Sequence, residues 1–129
     1  EFLGRFLKER RPLPAIALTT NASAVTAIAN DYVYSEIFSR QLQGLAKIGD
    51  VLVGISTSGN SANVIEAIKM ASECGVKSIA LTGQNPSEAG NLADIAIRAP
   101  STHTPRIQEM HIAIGHTLCE IAENSLFET

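Results

Sequence analysis

The chain has 129 residues, of which 45% are hydrophobic and 18% are charged, and its formal net charge is −3. A chain of this length encloses one hydrophobic core and is too short for two, so we expect residues 1–129 to form a single domain. The acidic balance and the scattered basic residues provide no extended patch for nucleic acid. No apolar run approaches the roughly 20 residues of a membrane span, so we expect no membrane partner.

Apolar periodicity and turn residues predict strands that alternate with helices along the chain. The predicted strands are Ala15–Leu18, Val51–Ile55, Ser78–Thr82 and Asp94–Arg98. The predicted helical segments are a helix end at residues 1–9, a mixed stretch at 22–46, and helices at 61–74, 87–93 and 105–127. Gly75 is predicted to end the helix at 61–74 in left-handed backbone. The alternation predicts an α/β fold, a three-layer α/β/α sandwich with a doubly wound parallel sheet.

A cluster of hydroxyl side chains follows the strand Val51–Ile55, just before a helical pattern begins. Its members are Ser56, Thr57, Ser58 and Ser61, with Gly59 among them. Free backbone N–H groups at a helix start and the positive end of the helix dipole attract an anion, and hydroxyl groups donate further hydrogen bonds. The alternative is a tight turn in which Ser61 or Asn60 caps the helix. A helix cap needs only one hydroxyl, whereas this loop has four. The cluster therefore favours a phosphate site.

The same loop lacks two signatures of nucleotide binding. It has neither the Gly-Lys-Ser/Thr ending of a P-loop nor the spaced glycines of a dinucleotide fingerprint, so it predicts a simple phosphomonoester. Ligands of open α/β sheets bind beyond the carboxyl ends of the strands, which is where the loop is expected to lie. Thr82-Gly83 occupies a similar place after a strand, and we interpret it as a turn.

Other polar residues are ambiguous when taken by themselves. Gln108, His111 and His116 interrupt the apolar stripe of the last helix, and a lone helical His is more often a surface or hydrogen-bonded residue than a catalyst. An Asn-Asp pair, here Asn30-Asp31, serves as a turn or cap as readily as a ligand. Neither Cys74 nor Cys119 belongs to a short metal-binding pair, so both are interpreted as the reduced thiols of a cytosolic protein.

The loop 56–61 resembles the phosphate-binding loop of the sugar isomerase, or SIS, domain. Further segments narrow the resemblance to bacterial phosphoheptose isomerases, which act on sedoheptulose 7-phosphate: 10–18, Asn30-Asp31, 49–52 and 106–111. The similarity runs from the first residue to about Phe127. It also implies that Glu1 lies within the second helix of a longer protein, so residues 1–129 would form a single SIS domain that is incomplete at its N-terminus.

The resemblance implies a reaction and a set of site residues. The reaction interconverts sedoheptulose 7-phosphate and D-glycero-D-manno-heptose 7-phosphate through an enediol, at the entry to heptose synthesis for bacterial lipopolysaccharide. Glu1 would be the base and His116 the acid, and Asn30, Asp31 and Gln108 would contact the sugar. The implied phosphate ligands are Ser56, Thr57, Ser58 and Ser61. His111 and His103 match no position of the family's site and are left outside it.

The resemblance also implies a cofactor and an assembly. One zinc ion per subunit would be held by Glu1, Gln108, His116 and a His upstream of this chain, so the roles of base and zinc ligand compete at Glu1. The assembly would be a cytoplasmic homotetramer with active sites between subunits. The competing hypothesis is a non-catalytic SIS module that binds a sugar phosphate as a regulator or replication-initiation adaptor. A binding module needs no acid at position 116, so His116 favours the enzyme.

Overall fold

The computed structural model describes residues 1–127. Strands β1 (Val51–Ile55), β2 (Lys77–Thr82) and β3 (Ile95–Arg98) form a parallel sheet in that order. The helices are α1 (Ala22–Asp31), α2 (Ser39–Leu45), α3 (Ala62–Glu73), α4 (Glu88–Leu92) and α5 (Thr104–Phe127), and a 3₁₀ turn spans Tyr34–Glu36. From β1 onward strands and helices alternate, so the parallel α/β class that the sequence predicts is confirmed.

The main core lies between the sheet and helices α3 and α4. It is formed by Val64, Ile65 and Ile68 of α3, Ala80 of β2 and Ala89 of α4. Gly54 of β1 lets α3 approach closely, because a Cβ atom at this position would lie 3.0 Å from Cγ1 of Val64. This packing holds the first turns of α3 against the end of β1, and so fixes the loop between them.

The other face of β1 is more open. Side chains alternate between the two faces of a strand, and Val51, Val53 and Ile55 are 57%, 43% and 56% exposed. Each of these residues pairs in register with a residue of β2, for example Val53 with Ile79. The apolar side chains of β1 on this face therefore remain partly in contact with solvent.

Residues 1–9 form no helix, so the predicted helix end is wrong. The carboxylate of Glu123 accepts hydrogen bonds from the backbone N–H groups of residues 6–8 at 2.8 to 3.3 Å. The guanidinium of Arg10 donates to the carbonyl oxygen of Phe2 at 3.0 Å. In a helix the N–H of residue 6 would pair with that carbonyl, so contacts with distant side chains replace the helical bonds.

The predicted strand Ala15–Leu18 is also wrong, because the structure has irregular backbone there. Its carbonyl groups bond elsewhere: that of Ala17 accepts from the N–H of Thr20, and that of Leu18 accepts from the amide of Gln41. Pro14, just before it, has no N–H to donate to a neighbouring strand. Without ladder bonds to β1, the segment lies beside the sheet as a loop.

The remaining boundaries agree with the sequence to within a residue or two. Strand β1 has the predicted bounds, β2 begins one residue earlier, and α5 starts at Thr104. Gly75 follows the end of α3 with φ of +71°, which confirms the left-handed ending. Within residues 1–127, no helix is both long and apolar enough to span a membrane.

Candidate functional site

The loop between β1 and α3 is held together by its own hydroxyl groups. Ser56 is 7% exposed, and its Oγ lies 2.9 Å from Oγ of Ser61 and 3.5 Å from Oγ of Ser58. The same Oγ accepts a hydrogen bond from the N–H of Gly59 at 3.1 Å. The loop therefore curls around Ser56, which brings Ser58 and Ser61 within hydrogen-bond reach of Ser56.

None of these hydroxyls caps the helix. Ser61 occupies the N-cap position of α3, yet its side chain makes no capping hydrogen bond. Asn60, the other candidate cap, uses its side-chain oxygen to accept from the N–H of Glu88 at 3.1 Å. Among residues 1–127, the backbone N–H groups of Ala62 and Asn63 have no hydrogen-bond partner. The capping alternative is therefore wrong, and the start of α3 retains donors for an anion.

Gly59 lets the loop pack against the connection before α4. Its φ is +66°, and a Cβ atom there would lie 2.1 Å from Oγ of Ser87. Its carbonyl oxygen accepts a hydrogen bond from the N–H of Ala89 at 2.9 Å. A residue with a side chain would meet both a steric clash and an unfavourable backbone conformation, so the shape of the loop depends on glycine.

Thr57 is fixed by the end of the neighbouring strand. Its carbonyl oxygen accepts from the N–H of Gly83 at 3.0 Å, and a Cβ atom at Gly83 would lie 2.7 Å from that oxygen. The interpretation of Thr82-Gly83 as a turn is wrong, because Thr82 is the last residue of β2 and Gly83 follows it in irregular backbone. The hydrogen bond from Gly83 sets the position of Thr57 relative to the end of β2.

A cavity of about 490 Å³ opens beside the loop. Its wall consists of Ile55, Ser56, Thr57 and Ser61 from the loop side and Gln108, His111 and Ile112 from α5. Ser58 instead lines a second cavity of about 410 Å³, which shares only Thr57 and lies towards Gln84, Asn85 and Ser101. The structure thus places Gln108 in one cavity wall with three of the four predicted phosphate ligands, whereas the fourth, Ser58, lines the second cavity.

His111, which the sequence analysis leaves outside the site, lies in the wall of the first cavity. It is 4% exposed, and its Nε2 lies 3.1 Å from the carbonyl oxygen of Thr82. The exclusion was therefore wrong about its position. A signal was present in the sequence, because His111 follows Gln108 by three residues and three-residue spacing places side chains on one helical face.

The predicted catalytic pair lies away from this cavity. Neither Glu1 nor His116 lines it. His116 is exposed, and its ring centroid lies 5.8 Å from that of Phe6. Glu1 is also exposed, and its backbone carbonyl accepts a hydrogen bond from Arg10 at 3.1 Å. Of the two, His116 lies on α5, eight residues after Gln108.

The predicted zinc ligands do not assemble a metal site within the described chain. Gln108 lies in the cavity wall, whereas His116 comes eight residues later on the same helix, about 12 Å along its axis. Among residues 1–127, no group of three or more His, Cys, Asp and Glu side chains could hold a metal ion. The residues present do not form a zinc site by themselves, so zinc stays a prediction.

Asn30 and Asp31 end helix α1, and both are exposed. The side-chain amide of Asn30 donates to the carboxylate of Asp31 at 3.0 Å. Neither residue lines either of the two cavities. Their assignment as sugar ligands stays a prediction.

Comparison with known proteins decides between families that share this architecture. The family model described as the SIS domain matches residues 1–83. A phosphoheptose isomerase from Rhodospirillum rubrum is 56% identical over 126 residues, which are 98% of this chain and 67% of that protein. The chain belongs to the phosphoheptose isomerase family. The resemblance drawn from its motifs is thereby confirmed.

Solved structures of phosphoheptose isomerases share the fold. The protein from Francisella tularensis superposes with a TM-score of 0.89 at 42% identity, over 94% of this chain and 65% of that one. The protein from Neisseria gonorrhoeae superposes with a TM-score of 0.85 at 48% identity, over 88% of this chain and 63% of that one. The chain thus spans about two thirds of the length of the phosphoheptose isomerases that it matches.

Proposed function

We propose that this protein is an aldose–ketose isomerase that interconverts sedoheptulose 7-phosphate and D-glycero-D-manno-heptose 7-phosphate, in bacterial heptose biosynthesis for lipopolysaccharide. The observation that carries the proposal is the cavity in which Ser56, Thr57 and Ser61 face Gln108. Membership of the phosphoheptose isomerase family supports the catalytic reading over a regulator or adaptor that only binds.

The phosphate of the substrate binds the loop between β1 and α3. The N–H groups of Ala62 and Asn63 and the positive end of the dipole of α3 attract the phosphate, and the hydroxyls of Ser56, Thr57 and Ser61 complete its hydrogen bonds. Ser58 belongs to this proposal as a ligand of the same loop, although it lines the second cavity. These contacts surround a single anionic group, so the loop suits the phosphate of a phosphomonoester.

The proton transfers need a base and an acid. A base removes the proton on the carbon beside the carbonyl to give an enediol, and an acid returns a proton to the neighbouring carbon. We assign the base to Glu1 and the acid to His116 by the family resemblance, with Asn30 and Asp31 bonding the sugar hydroxyls. Neither Glu1 nor His116 lines the cavity beside the loop, so the resemblance alone supports these two roles.

Zinc enters the proposal through the resemblance alone. Glu1, Gln108 and His116 would hold it together with a His upstream of this chain, and the ion would polarise the substrate oxygens. Gln108 and His116 are eight residues apart on α5. A shared zinc ion would therefore require both side chains to reach towards a common point.

The assembly and location belong to the same proposal. We expect a homotetramer, and the exposed apolar side chains of Val51, Val53 and Ile55 on β1 support contact with further protein. We expect a cytoplasmic protein, in which the free thiols of Cys74 and Cys119 would stay reduced.

The first experiment is to measure isomerisation of sedoheptulose 7-phosphate before and after chelation, and again after adding zinc. Activity that falls and returns with zinc supports the metal-assisted isomerase. Tight binding of the sugar phosphate without turnover would instead identify a regulator or adaptor. Gel filtration with light scattering tests the tetramer.

A substitution tests the acid. We expect His116→Asn to lower kcat by roughly 10² to 10⁴, because general acid catalysis contributes about that factor. Its affinity for inorganic phosphate should stay unchanged, since His116 does not line the cavity beside the loop. The matched control is His103→Asn, which changes an exposed His before α5. If His116→Asn turned over the substrate as fast as His103→Asn, His116 would not be the acid.

A further inference from the structure

Helix α5 is held against the rest of the protein by few buried side chains. Of its residues, Thr104–Phe127, the buried ones are Ile107, His111 and Glu123. Glu123 accepts hydrogen bonds from the first residues of the chain, at the far end of the helix. Ile107 and His111 are therefore the buried residues that hold the half of α5 that carries Gln108.

Both residues contact the end of β2. Nε2 of His111 lies 3.1 Å from the carbonyl oxygen of Thr82, and this nitrogen donates because a carbonyl oxygen only accepts. Nδ1 of the ring has no hydrogen-bond partner among residues 1–127, so the bond to Thr82 carries the polar attachment of His111. Ile107 packs on Gly83, where a Cβ atom would lie 2.8 Å from its Cδ1.

The same strand end holds the loop that is proposed to bind the phosphate. The N–H of Ser56 donates to the carbonyl oxygen of Leu81 at 3.0 Å, and the N–H of Gly83 donates to that of Thr57 at 3.0 Å. The loop and α5 together line the cavity of about 490 Å³. Both parts of the cavity wall are thus attached to one short piece of backbone at the end of β2.

We propose that His111 is a positioning residue, whose hydrogen bond to Thr82 fixes the place of Gln108 relative to the phosphate-binding loop. Gln108 precedes His111 by three residues on the same helical face, so a shift of α5 at His111 carries Gln108 with it. This inference rests on the proposed function and deepens it, because it assigns to His111 the placement of the sugar relative to the phosphate. If His111 only filled space, an apolar residue of similar size would replace it without loss of activity.

Three substitutions at this position separate the hydrogen bond from the filling of space. His111→Leu fills much of the space and has no donor. In His111→Gln the amide nitrogen reaches about the place of Nε2 and donates to Thr82, whereas the amide of His111→Asn is too short to do so. In all three variants the carbonyl oxygen of Thr82 keeps its bond from the N–H of Ala99 at 2.9 Å.

The test combines steady-state kinetics on sedoheptulose 7-phosphate with calorimetric binding of this sugar phosphate and of inorganic phosphate, in the full-length protein. We expect His111→Leu to lower kcat roughly 10- to 100-fold, because a misplacement of about 1 Å costs that much. Its affinity for the sugar phosphate should fall roughly fivefold, as for one weakened hydrogen bond. Its affinity for inorganic phosphate should stay unchanged, since the loop keeps its own bonds to β2.

The two amide variants test rescue by the donor. His111→Gln should keep kcat and sugar phosphate affinity within about threefold of the unsubstituted protein, because its amide donates to the same carbonyl. His111→Asn should resemble His111→Leu. If His111→Leu does not fold, the difference between the two amide variants carries the same test.

A matched control separates positioning from stability. Val76 is 3% exposed and lies just before β2, at the opposite end of the strand from Thr82. Val76→Ala should lower the unfolding temperature, because it leaves a cavity in the core. Its kcat, measured well below that temperature, should equal that of the unsubstituted protein.

Other results overturn the inference. An unchanged kcat in His111→Leu would mean that His111 only fills space, and equal kcat values in His111→Gln and His111→Asn would mean that the bond to Thr82 positions nothing. A parallel loss of affinity for inorganic phosphate would place the effect in the loop instead of at Gln108. Failure of the proposed function looks different: the unsubstituted protein would bind the sugar phosphate without isomerising it, and the affinities of the variants for the two ligands would still test the positioning.

Discussion

At the scale of single residues, Gly59 is a position of the loop with no room for a side chain. Its backbone is left-handed, and the space that a Cβ atom would need is occupied by the side chain of Ser87. The residue also positions two hydrogen bonds of the loop, from its N–H to Ser56 and from the N–H of Ala89 to its carbonyl. A change at Gly59 should therefore affect both stability and phosphate binding.

We expect Gly59→Ala to lower the free energy of unfolding by roughly 2 to 4 kcal/mol, from backbone strain and overpacking together. Urea unfolding measures this loss, and calorimetry should show weaker binding of inorganic phosphate. The control is Gly44→Ala in α2, where a Cβ atom meets nothing within 4 Å and alanine favours a helix. Equal free energies of unfolding for Gly59→Ala and Gly44→Ala would contradict the close approach of Ser87 to Gly59.

At the scale of elements, the start of α3 differs from the starts of α1 and α4. Asn21 caps α1 by accepting from the N–H of Ala24, and Ser87 caps α4 by accepting from the N–H of Gly90. Ser61 at the same position of α3 bonds Ser56 instead. The hydroxyl of Ser61 therefore shapes the loop, and within residues 1–127 the N–H groups of Ala62 and Asn63 stay free.

This difference between the helix starts predicts that two matched substitutions affect different properties of the protein. Ser61→Ala should weaken the binding of inorganic phosphate roughly five- to tenfold, because it removes one donor to an anion. Asn21→Ala should lower the free energy of unfolding by about 1 kcal/mol, as expected for a lost cap, and leave phosphate affinity unchanged. Calorimetry and urea unfolding check both. Unchanged phosphate affinity in Ser61→Ala would show that the loop is only a turn.

At the scale of the whole molecule, a buried ion pair joins the two ends of the chain. Nε of Arg10 lies 2.7 Å from Oε1 of Glu123, and both side chains are 1% exposed. Burial alone would raise the pKa of Glu123, but the backbone N–H groups of Lys8, Leu7 and Phe6 and the guanidinium of Arg10 outweigh it and lower the pKa to about 2. The carboxylate thus holds the first residues against α5.

A lowered pKa makes this contact sensitive to acid. The contribution of Glu123 to stability is fully present above its ordinary pKa of 4.5 and is lost as the pH falls towards 2. We expect Glu123→Gln to be less stable than the unsubstituted protein at pH 7, because it leaves Arg10 buried without its counter-charge. The difference should shrink between pH 4.5 and pH 2.

Thermal unfolding at a series of pH values measures this difference. The control is Glu120→Gln, which changes an exposed carboxylate one turn earlier on α5. Its unfolding temperature should follow that of the unsubstituted protein at every pH. A constant difference between Glu123→Gln and the unsubstituted protein from pH 7 to pH 2 would contradict the lowered pKa.

Local patterns predicted much of the fold and part of the site. Strand β1, helix α3 with its glycine ending at Gly75, and helix α5 were found because apolar spacing and turn residues act over a few neighbouring positions. The hydroxyl cluster was found for the same reason, since Ser56, Thr57 and Ser61 are close in sequence. The family followed from these and other motifs.

Tertiary contacts decided what those patterns could not. Residues 1–9 lose their helix to Glu123, more than a hundred positions away in the chain. The segment Ala15–Leu18 lacks the ladder bonds that would make it a strand, and only the packed structure shows this. No local rule reveals either outcome, because each depends on a partner that is remote in sequence.

Short-range spacing and motifs were enough to predict the α/β class, the family and the hydroxyl-rich loop at residues 56–61. The contacts between side chains became visible only in the folded protein, where Ser61 bonds Ser56 instead of capping α3 and His111 joins Gln108 in the cavity wall. The physical reason is that hydrogen-bond partners and cavity walls are set by which elements pack together, and packing brings together residues that the sequence keeps far apart.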